Sequence, residues 1–227
     1  MRSKFDMQLE GLKQEMTTIG MLCENSIAKA SHALLNCDLS LARELPEGLN
    51  QIIQKERDIE GICLKLLLHQ QPVARDLRTV SSALKMVTDA QRIGTQSAEI
   101  SEIVALGNIR SIPEGLPLRE MATAVVRMVT DSIDAFVKRD GKIARAVIEY
   151  DDIVDGYFNS VKADLIALLK QPEGSSEAMV DLLMIAKYYE RIGDHAVNIA
   201  KWVLFSLTGN LEFDSAYFEE GGQPSEK

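Results

Sequence analysis

The chain has 227 residues, of which 46% are hydrophobic, 26% are charged and 5% are aromatic. This composition is typical of a globular protein that buries a sizeable core, and the shortage of aromatic residues and prolines disfavours a β-sandwich or barrel. The formal net charge of -9 argues against binding to the phosphate backbone of nucleic acid, because such binding needs clustered lysines and arginines.

Cysteine usage and hydropathy indicate a cytoplasmic protein. The three cysteines, Cys23, Cys37 and Cys63, are odd in number and lack CxxC spacing, so we expect reduced thiols rather than disulfides or a zinc motif. The N-terminal residues contain no apolar run of the signal-peptide kind. No window reaches the roughly 18 apolar residues that a spanning helix needs, so we expect no insertion into a membrane.

Helical periodicity extends through most of the chain and is interrupted at a few turns rich in proline and glycine. In chain order it predicts six long helices, at residues 3–36, 39–70, 73–107, 117–138, 141–170 and 175–208. The last helix has the clearest heptad pattern, in which Leu182, Tyr189, Ala196 and Val203 recur at one position. We therefore expect this helix to be packed in a core along one face.

The sequence contains an internal duplication with a period near 100 residues. Arg92-Ile93-Gly94 recurs as Arg191-Ile192-Gly193, and the turn Gln71-Pro72 recurs as Gln171-Pro172. A glycine within a helix costs about 1 kcal/mol relative to alanine, so its recurrence after Arg-Ile predicts close packing against a neighbouring helix.

Three antiparallel amphipathic helices can bury their apolar faces against one another, whereas one helix cannot. The duplication therefore predicts an all-α fold of two tandem three-helix bundles, at residues 1–112 and 113–210. Residues 211–227 are acidic and contain glycine and proline, so we expect them to form a frayed tail outside the fold.

Glu190 and Asp194 lie four residues apart on the predicted last helix. Two carboxylates at this spacing share one helix face and repel each other unless a cation or a donor lies between them. In an antiparallel helical hairpin, residues equidistant from the turn lie at the same height. By this rule Asp155 and Asp151, on the preceding predicted helix, lie level with Glu190 and Asp194. Oxygen ligands of this kind suit Mg²⁺, Mn²⁺, Ca²⁺, iron or zinc, and His195 could add a nitrogen ligand.

The alternative is a solvated acidic face, because such pairs occur in this chain about as often as chance predicts. Glu190 and Asp194 also lie away from the apolar seam, which predicts that both face outward. In the first half the equivalent residues are Gln91 and Thr95, and the reflected positions carry no carboxylate.

A displaced first-half site could instead combine Glu56, Glu60 and Asp89, because Glu56 reflects onto Asp89. Catalysis receives no support from the sequence. There is no local Ser-His-Asp or Cys-His pattern, no glycine-rich nucleotide loop, and no E-x-x-H motif of the diiron type. We therefore expect a protein that is not an enzyme. A metal-storage protein or a metal-dependent hydrolase is the alternative.

The segments QQPVARDLRTVSSALKMVTDAQRIG and YYERIGDHAVNIAKW, in a tandem three-helix layout, resemble the PhoU family of accessory proteins of phosphate-specific transport. The resemblance covers residues 3–210. It implies a cytoplasmic regulator that restrains the phosphate-starvation response when phosphate is plentiful. The implied partners are the ATPase subunit of the phosphate ABC transporter and a sensor histidine kinase, and the implied oligomer is a homodimer.

The same resemblance implies iron or zinc, or alternatively magnesium or manganese, on acidic motifs of the form E(D)-x-x-x-D. Those motifs match Asp151/Asp155 and Glu190/Asp194, which are therefore the expected metal ligands. The usual E-R-I-G-D of the family reads Gln-Arg-Ile-Gly-Thr at residues 91–95, so a first metal cluster is not expected there.

Overall fold

A computed structural model describes residues 2–44, 46–70, 73–170 and 176–210. These residues form seven α-helices: α1 (Arg2–Asn36), α2 (Leu39–Glu44), α3 (Pro46–Gln70), α4 (Ala74–Ala105), α5 (Leu118–Lys138), α6 (Gly141–Leu168) and α7 (Ser176–Thr208). The described part of the chain contains no strand, which confirms the prediction of an all-α fold. The predicted tail at 211–227 lies outside the described residues.

The predicted helix at 39–70 is two helices, α2 and α3. The Asp38 side chain accepts hydrogen bonds from the backbone N–H groups of Ser40 and Leu41, both at 3.0 Å, and so caps the start of α2. Pro46 begins α3, where its missing N–H is tolerated because the first turn of a helix has no acceptor for it. The periodicity continues across this break, which is why the sequence pattern predicted one helix.

The seven helices form two bundles that share one core. Helices α1, α3 and α4 pack together in the first half, with the short α2 against α4, and α5, α6 and α7 pack together in the second. Two further contacts, α4 against α7 and α1 against α5, join the halves. Their buried apolar side chains belong to a single cluster, which includes Ile52 of α3 and Ile192 of α7.

Helices α4 and α7 run antiparallel across a local pseudo-twofold axis. At one end of their contact the Tyr188 hydroxyl donates to Glu99 at 2.8 Å, and at the other the Asn198 amide donates to Asp89 at 3.4 Å. The duplication relates positions that are 99 residues apart. Tyr188 therefore corresponds to Asp89, and Glu99 corresponds to Asn198, so the two hydrogen-bonded pairs are equivalent. The two halves therefore meet through their own equivalent helices, close to the repeated Arg-Ile-Gly.

The two repeated glycines allow the middle helix of each bundle to approach closely. A Cβ atom at Gly94 would lie 2.7 Å from Ile52 Cδ1 on α3, and one at Gly193 would lie 3.2 Å from Asp151 Oδ1 on α6. The predicted close packing is confirmed at both positions. Because Ile52 precedes Gly94 by the same interval as Asp151 precedes Gly193, the two contacts are equivalent.

A buried hydrogen bond ties α7 to α1. The Tyr189 side chain is fully buried, and its hydroxyl lies 2.7 Å from Ser31 Oγ. The Ser31 proton is directed to the backbone carbonyl of Ile27, also at 2.7 Å, so the Tyr189 hydroxyl is the donor to Ser31. Burial raises the pKa of Tyr189 above its ordinary value, which keeps this donor protonated.

All three cysteines are free, as predicted. Burial raises the pKa of Cys23 and of Cys63 to about 12, so both thiols are protonated at neutral pH and behave as small apolar side chains. Among the helices described, none combines the length and the apolar content required to cross a membrane.

The two glycine environments give a matched test of packing. Gly61 lies within α3 with no neighbour within 4 Å of an added Cβ, so Gly61→Ala should raise the free energy of unfolding by about 0.5–1 kcal/mol. Gly94→Ala gains the same helix preference but forces Ile52 to shift in a filled core, so we expect a net loss of about 1–2 kcal/mol. Urea unfolding of both variants measures the difference. A stability increase of equal size at both sites would contradict the close contact.

Candidate functional site

The four predicted ligands lie on two neighbouring helices. Asp151 and Asp155 are on α6, and Glu190 and Asp194 are on α7. The charges of Asp194, Asp155 and Glu190 all act on Asp151, which shows that the antiparallel packing gathers the four carboxylates in one region. We call these four residues the carboxylate cluster.

Asp151 occupies a position where the helix pattern calls for an apolar residue. Counting in sevens along α6, it stands in the row of Ala144, Phe158 and Leu165, which all belong to the core or pack against it. Its Oδ1 atom is buried and has no hydrogen-bond partner among the described residues. The absence of a side chain at Gly193 leaves the space that this carboxylate fills.

The Asp151 carboxyl holds its proton far more strongly than an exposed aspartate does. Burial, followed by the negative charges of Asp194, Asp155 and Glu190, raises its pKa to about 6. Partial desolvation of the Asp194 carboxyl, whose residue is exposed overall, and the charge of Glu190 also raise the pKa of Asp194, while the ammonium of Lys187 partly offsets that rise. The cluster therefore favours a proton or a cation over four bare negative charges.

Glu190 is mostly buried, so the prediction that it faces outward is wrong. Only 14% of its side chain is exposed, and Lys187 Nζ lies 2.5 Å from its carboxylate. Lys187 in turn lies over the ring of Phe158 on α6, with 5.3 Å between Nζ and the ring centroid. The packing of α6 against this side of α7 therefore covers Glu190, whereas Asp194 is exposed as expected.

The cluster has some, but not all, of the features of a metal site. The buried Asp151 oxygen without a partner and the raised pKa values suit a cation. However, within the described residues no group of three or more His, Cys, Asp or Glu side chains stands in an arrangement that could hold a metal ion. Lys187 already neutralises Glu190. Metal binding at these residues therefore stays a prediction.

His195 is engaged on the other side of α7. Its Nδ1 lies 2.9 Å from Asp89 Oδ1 on α4, so this nitrogen is directed at the first bundle rather than at the carboxylate cluster. The same contact bears on the displaced first-half site. That site was predicted from Glu56, Glu60 and Asp89. Asp89 accepts a hydrogen bond from His195, and the charges that act on Glu56 are those of Glu60, Arg92 and Arg57 rather than that of Asp89.

The equivalent region of the first half has an apolar side chain beside its glycine, and two of its polar side chains are hydrogen-bonded to each other. Fully buried Ile52 takes the place of Asp151 beside the repeated glycine. Gln91 and Thr95, which replace Glu190 and Asp194, form a hydrogen bond with each other at 3.0 Å. The described structure thus contains four carboxylates in the second half, whereas at the equivalent first-half positions only Glu56, the counterpart of Asp155, carries one.

The sequence pattern did not predict a polar cavity that lies along the α4–α7 contact. Its volume is about 650 Å³, and residues of both halves line it: Arg92, Gln96, Asp151, Arg191, Asp194, His195, Val197, Asn198 and Lys201. The duplication carried a signal for it, because Arg92 and Arg191 are equivalent residues that an antiparallel crossing brings to one place. This cavity connects the carboxylate cluster to the first bundle.

Comparison with known proteins covers nearly the whole chain. The profile of one family, described as PhoU domain, matches twice, at residues 16–104 and 118–203. A relative from Pseudomonas aeruginosa, named phosphate-specific transport system accessory protein PhoU homolog, is 31% identical over 91% of this chain and 86% of its own. A relative of the same name from Zymomonas mobilis is 34% identical over 90% of this chain and 87% of its own.

Solved structures show the same architecture. A crystal structure of PhoU from Pseudomonas aeruginosa superposes with a TM-score of 0.85 at 31% identity, covering 91% of this chain and all of that one. The phosphate transport system regulatory protein PhoU from Streptococcus pneumoniae gives a TM-score of 0.84 at 27% identity, covering 91% of this chain and 98% of that one.

The raised pKa of Asp151 predicts a specific pH dependence in metal-free, chelator-containing buffer. Because the folded pKa of about 6 exceeds the ordinary 3.8, the fold binds this proton more tightly than the unfolded chain does. The contribution of Asp151 to stability should thus be fully present below about pH 4 and be lost as the pH rises to about 6. Asp151→Asn should remove this loss and stabilise the protein at neutral pH by on the order of 1–2 kcal/mol.

Urea unfolding across this pH range measures the effect. Asp164→Asn is the matched control, because its side chain is exposed on the same helix, α6, and its charge is not among those that raise the pKa of Asp151. An Asp151→Asn variant with the same pH slope as the wild type would show that the carboxylate is solvated like any other.

Proposed function

The chain belongs to the PhoU family, as the double Arg-Ile-Gly motif indicated, and on that premise we propose that it is a cytoplasmic regulator of phosphate uptake and phosphate-starvation signalling. At the coarser level it is a PhoU accessory protein of a phosphate transport system. The proposal adds an adaptor role between the ATPase subunit of the phosphate ABC transporter and a sensor histidine kinase. In that role the protein restrains the starvation response when phosphate is plentiful.

The observation that carries this proposal is the match of both halves to the PhoU domain, over a helical body that shares one core. A rigid body of this kind offers broad helical faces, which suit recognition of partner surfaces better than recognition of a small substrate. Among the described helices, for example, α6 packs only against α5 and α7 and leaves a long face exposed. A partner that changes conformation can be controlled by a surface that binds one of its states more tightly.

A regulator without catalytic activity is consistent with the polar groups in the cavity. The one histidine among its lining residues is held by Asp89 and has no serine or cysteine nucleophile beside it in the cavity lining. The relatives are named accessory or regulatory proteins. We therefore propose that the protein acts through binding.

A homodimer is part of the proposal. Several large apolar side chains of the second half are exposed on α6 and α7 or directly after α6, as expected of a surface that another protein covers: Ile153, Ile166, Leu169, Val180 and Met184. Light scattering of the purified protein over a range of concentrations measures the oligomeric state.

The carboxylate cluster is the proposed metal-binding surface of this regulator. Asp151, Asp155, Glu190 and Asp194 would provide oxygen ligands for iron or zinc, or alternatively for magnesium or manganese. A bound cation would supply positive charge that lowers the repulsion within the cluster. Because Lys187 pairs with Glu190, a cation at Glu190 competes with an existing ion pair. A metal-storage or hydrolytic role remains the second candidate, because Asp151 Oδ1 is buried without a hydrogen-bond partner in the part of the chain that the structure describes.

Elemental analysis of protein purified without chelator tests the metal proposal. The wild type should retain metal, and Asp155→Asn/Asp194→Asn should lose most of it, because the variant removes one carboxylate from each helix. The control is Glu149→Gln/Asp152→Asn, which removes two exposed carboxylates from α6 outside the cluster. Equal metal content in the wild type and both variants would contradict the assignment of these ligands.

Gene deletion in the source organism tests the regulatory proposal. Expression of phosphate-starvation genes in high-phosphate medium should rise on deletion and return to the repressed level on complementation with the wild-type gene. Expression that stays repressed after deletion would refute the regulatory role.

The adaptor role has its own measurement. Pull-down with the purified chain should capture the transporter ATPase subunit and the sensor kinase. Capture of neither, together with metal-dependent hydrolysis that the Asp155→Asn/Asp194→Asn variant abolishes, would favour the second candidate.

A further inference from the structure

The last residues described direct the chain onto the first bundle. α7 ends at Thr208, and Gly209 has a left-handed φ of 80°, with its N–H donating to the Phe205 carbonyl at 2.8 Å. A Cβ at Gly209 would lie 3.5 Å from three atoms of the Arg78 side chain on α4. The chain therefore leaves α7 directly against the first turns of α4.

This end of the molecule carries a concentration of positive charge. Arg75 and Arg78 lie on the first turns of α4, and Arg139 follows α5. Burial and the charge of Arg75 lower the pKa of Arg139, while the acid Asp76 offsets this only in part. Arg78 Nε is buried and donates to no acceptor among the described residues. A buried donor without a partner is costly, so the site is suited to an additional acceptor.

Exposed apolar side chains lie beside these arginines. Val73 precedes α4 and Leu77 is one turn further on, and their exposed fractions are 65% and 46%. We refer to Val73, Arg75, Leu77, Arg78 and Arg139 as the α4 arginine surface. Basic and apolar groups together suit a segment that combines carboxylates with aromatic rings.

Residues 211–227 have this composition and begin two positions after Gly209. The segment reads LEFDSAYFEEGGQPSEK and contains three aromatic residues, Phe213, Tyr217 and Phe218, together with five acidic residues, Glu212, Asp214, Glu219, Glu220 and Glu226. Five residues of extended chain span at most about 18 Å, so the segment need not stretch far for its first acidic residues to reach Arg75 and Arg78.

We propose that residues 211–227 dock on the α4 arginine surface of the same chain. Glu212 and Asp214 pair with Arg75 and Arg78, and the aromatic residues cover Val73 and Leu77. Docking places carboxylates against the guanidinium groups of this surface and removes exposed apolar area from water. An acidic, aromatic segment of a binding partner would compete for the same surface, so the chain's own segment acts as a built-in competitor. This proposal does not depend on the proposed function.

Limited proteolysis of the full-length protein tests the docking. Chymotrypsin cleaves after aromatic residues, and mass spectrometry follows cleavage after Phe213, Tyr217 and Phe218. The reference is a free peptide of residues 211–227, which corrects for the protease's response to salt and to each substitution. At low salt we expect cleavage in the protein to be roughly five-fold slower or more than in the peptide. At about 0.5 M salt this protection should largely disappear.

Charge variants identify the surface. Arg75→Glu should lose most of the protection, and so should Glu212→Lys/Asp214→Lys. The triple variant Arg75→Glu/Glu212→Lys/Asp214→Lys reverses the charge on both sides and should regain the protection. Arg75 is exposed, so its replacement leaves the core intact, which circular dichroism verifies. Arg119→Glu is the matched control, because it makes the same charge change at the exposed start of α5, about 30 Å along the helix from Arg139.

Equal cleavage of protein and peptide in the wild type would overturn the proposal. Protection that survives both Arg75→Glu and Glu212→Lys/Asp214→Lys would also overturn it, because the segment would then be held elsewhere. Protection that disappears on dilution would assign the surface to a second copy of the chain and would likewise contradict docking within one chain.

Discussion

The antiparallel contact between α4 and α7 is the constraint on which the rest of the structure depends. Its centre contains Ile93 and Ile192, both fully buried, and burial of each such side chain contributes about 1.5–3 kcal/mol. The two equivalent hydrogen bonds at its ends are accepted by carboxylates and contribute about 1.5–3 kcal/mol each, no more than one buried side chain, and α4 and α7 bury many apolar side chains. Apolar packing therefore supplies most of the stabilisation, while the pairs Tyr188–Glu99 and Asn198–Asp89 set the register. With that register in place, Arg92 and Arg191 necessarily line one cavity.

The duplicated framework carries a different side chain in each half at the same packing position. In the first half Ile52 fills the space beside Gly94, and in the second Asp151 fills the space beside Gly193. Burying an isoleucine is favourable, whereas burying a carboxylate is costly unless it binds a proton or a cation. The buried carboxylate therefore makes the second half less stable at a position where the isoleucine of the first half is stabilising. Local departures of this kind from good packing are concentrated at functional sites, which is the physical reason to look for function around Asp151.

The sequence predicted the features that depend on periodicity. Heptad spacing identified the buried face of α7, including Tyr189, and the repeated Arg-Ile-Gly identified the duplication and the close approach at both glycines. Periodicity does not say which polar side chain bonds across a seam, so the pairing of Asp89 with His195 was not predicted. It also missed the covering of Glu190 by Lys187, because reflection through a turn gives the height of a residue but not the rotation of its helix. The break before Pro46 was missed because the apolar pattern continues through it.

The net charge of the whole chain does not describe the charge of its individual surfaces. The whole chain carries -9, yet the α4 arginine surface is basic, and at the acidic carboxylate cluster burial and the neighbouring negative charges raise the pKa of Asp151. Along α7 the two regions are separated by the interval of 15 positions from Asp194 to Gly209, or about 22 Å of helix. The Debye length at physiological ionic strength is about 8 Å, so exposed charges at that separation are largely screened from each other. A cation at the cluster and an acidic segment at the arginine surface would therefore bind without direct electrostatic interference, and any coupling between them would have to pass through the packing of α7 against α4.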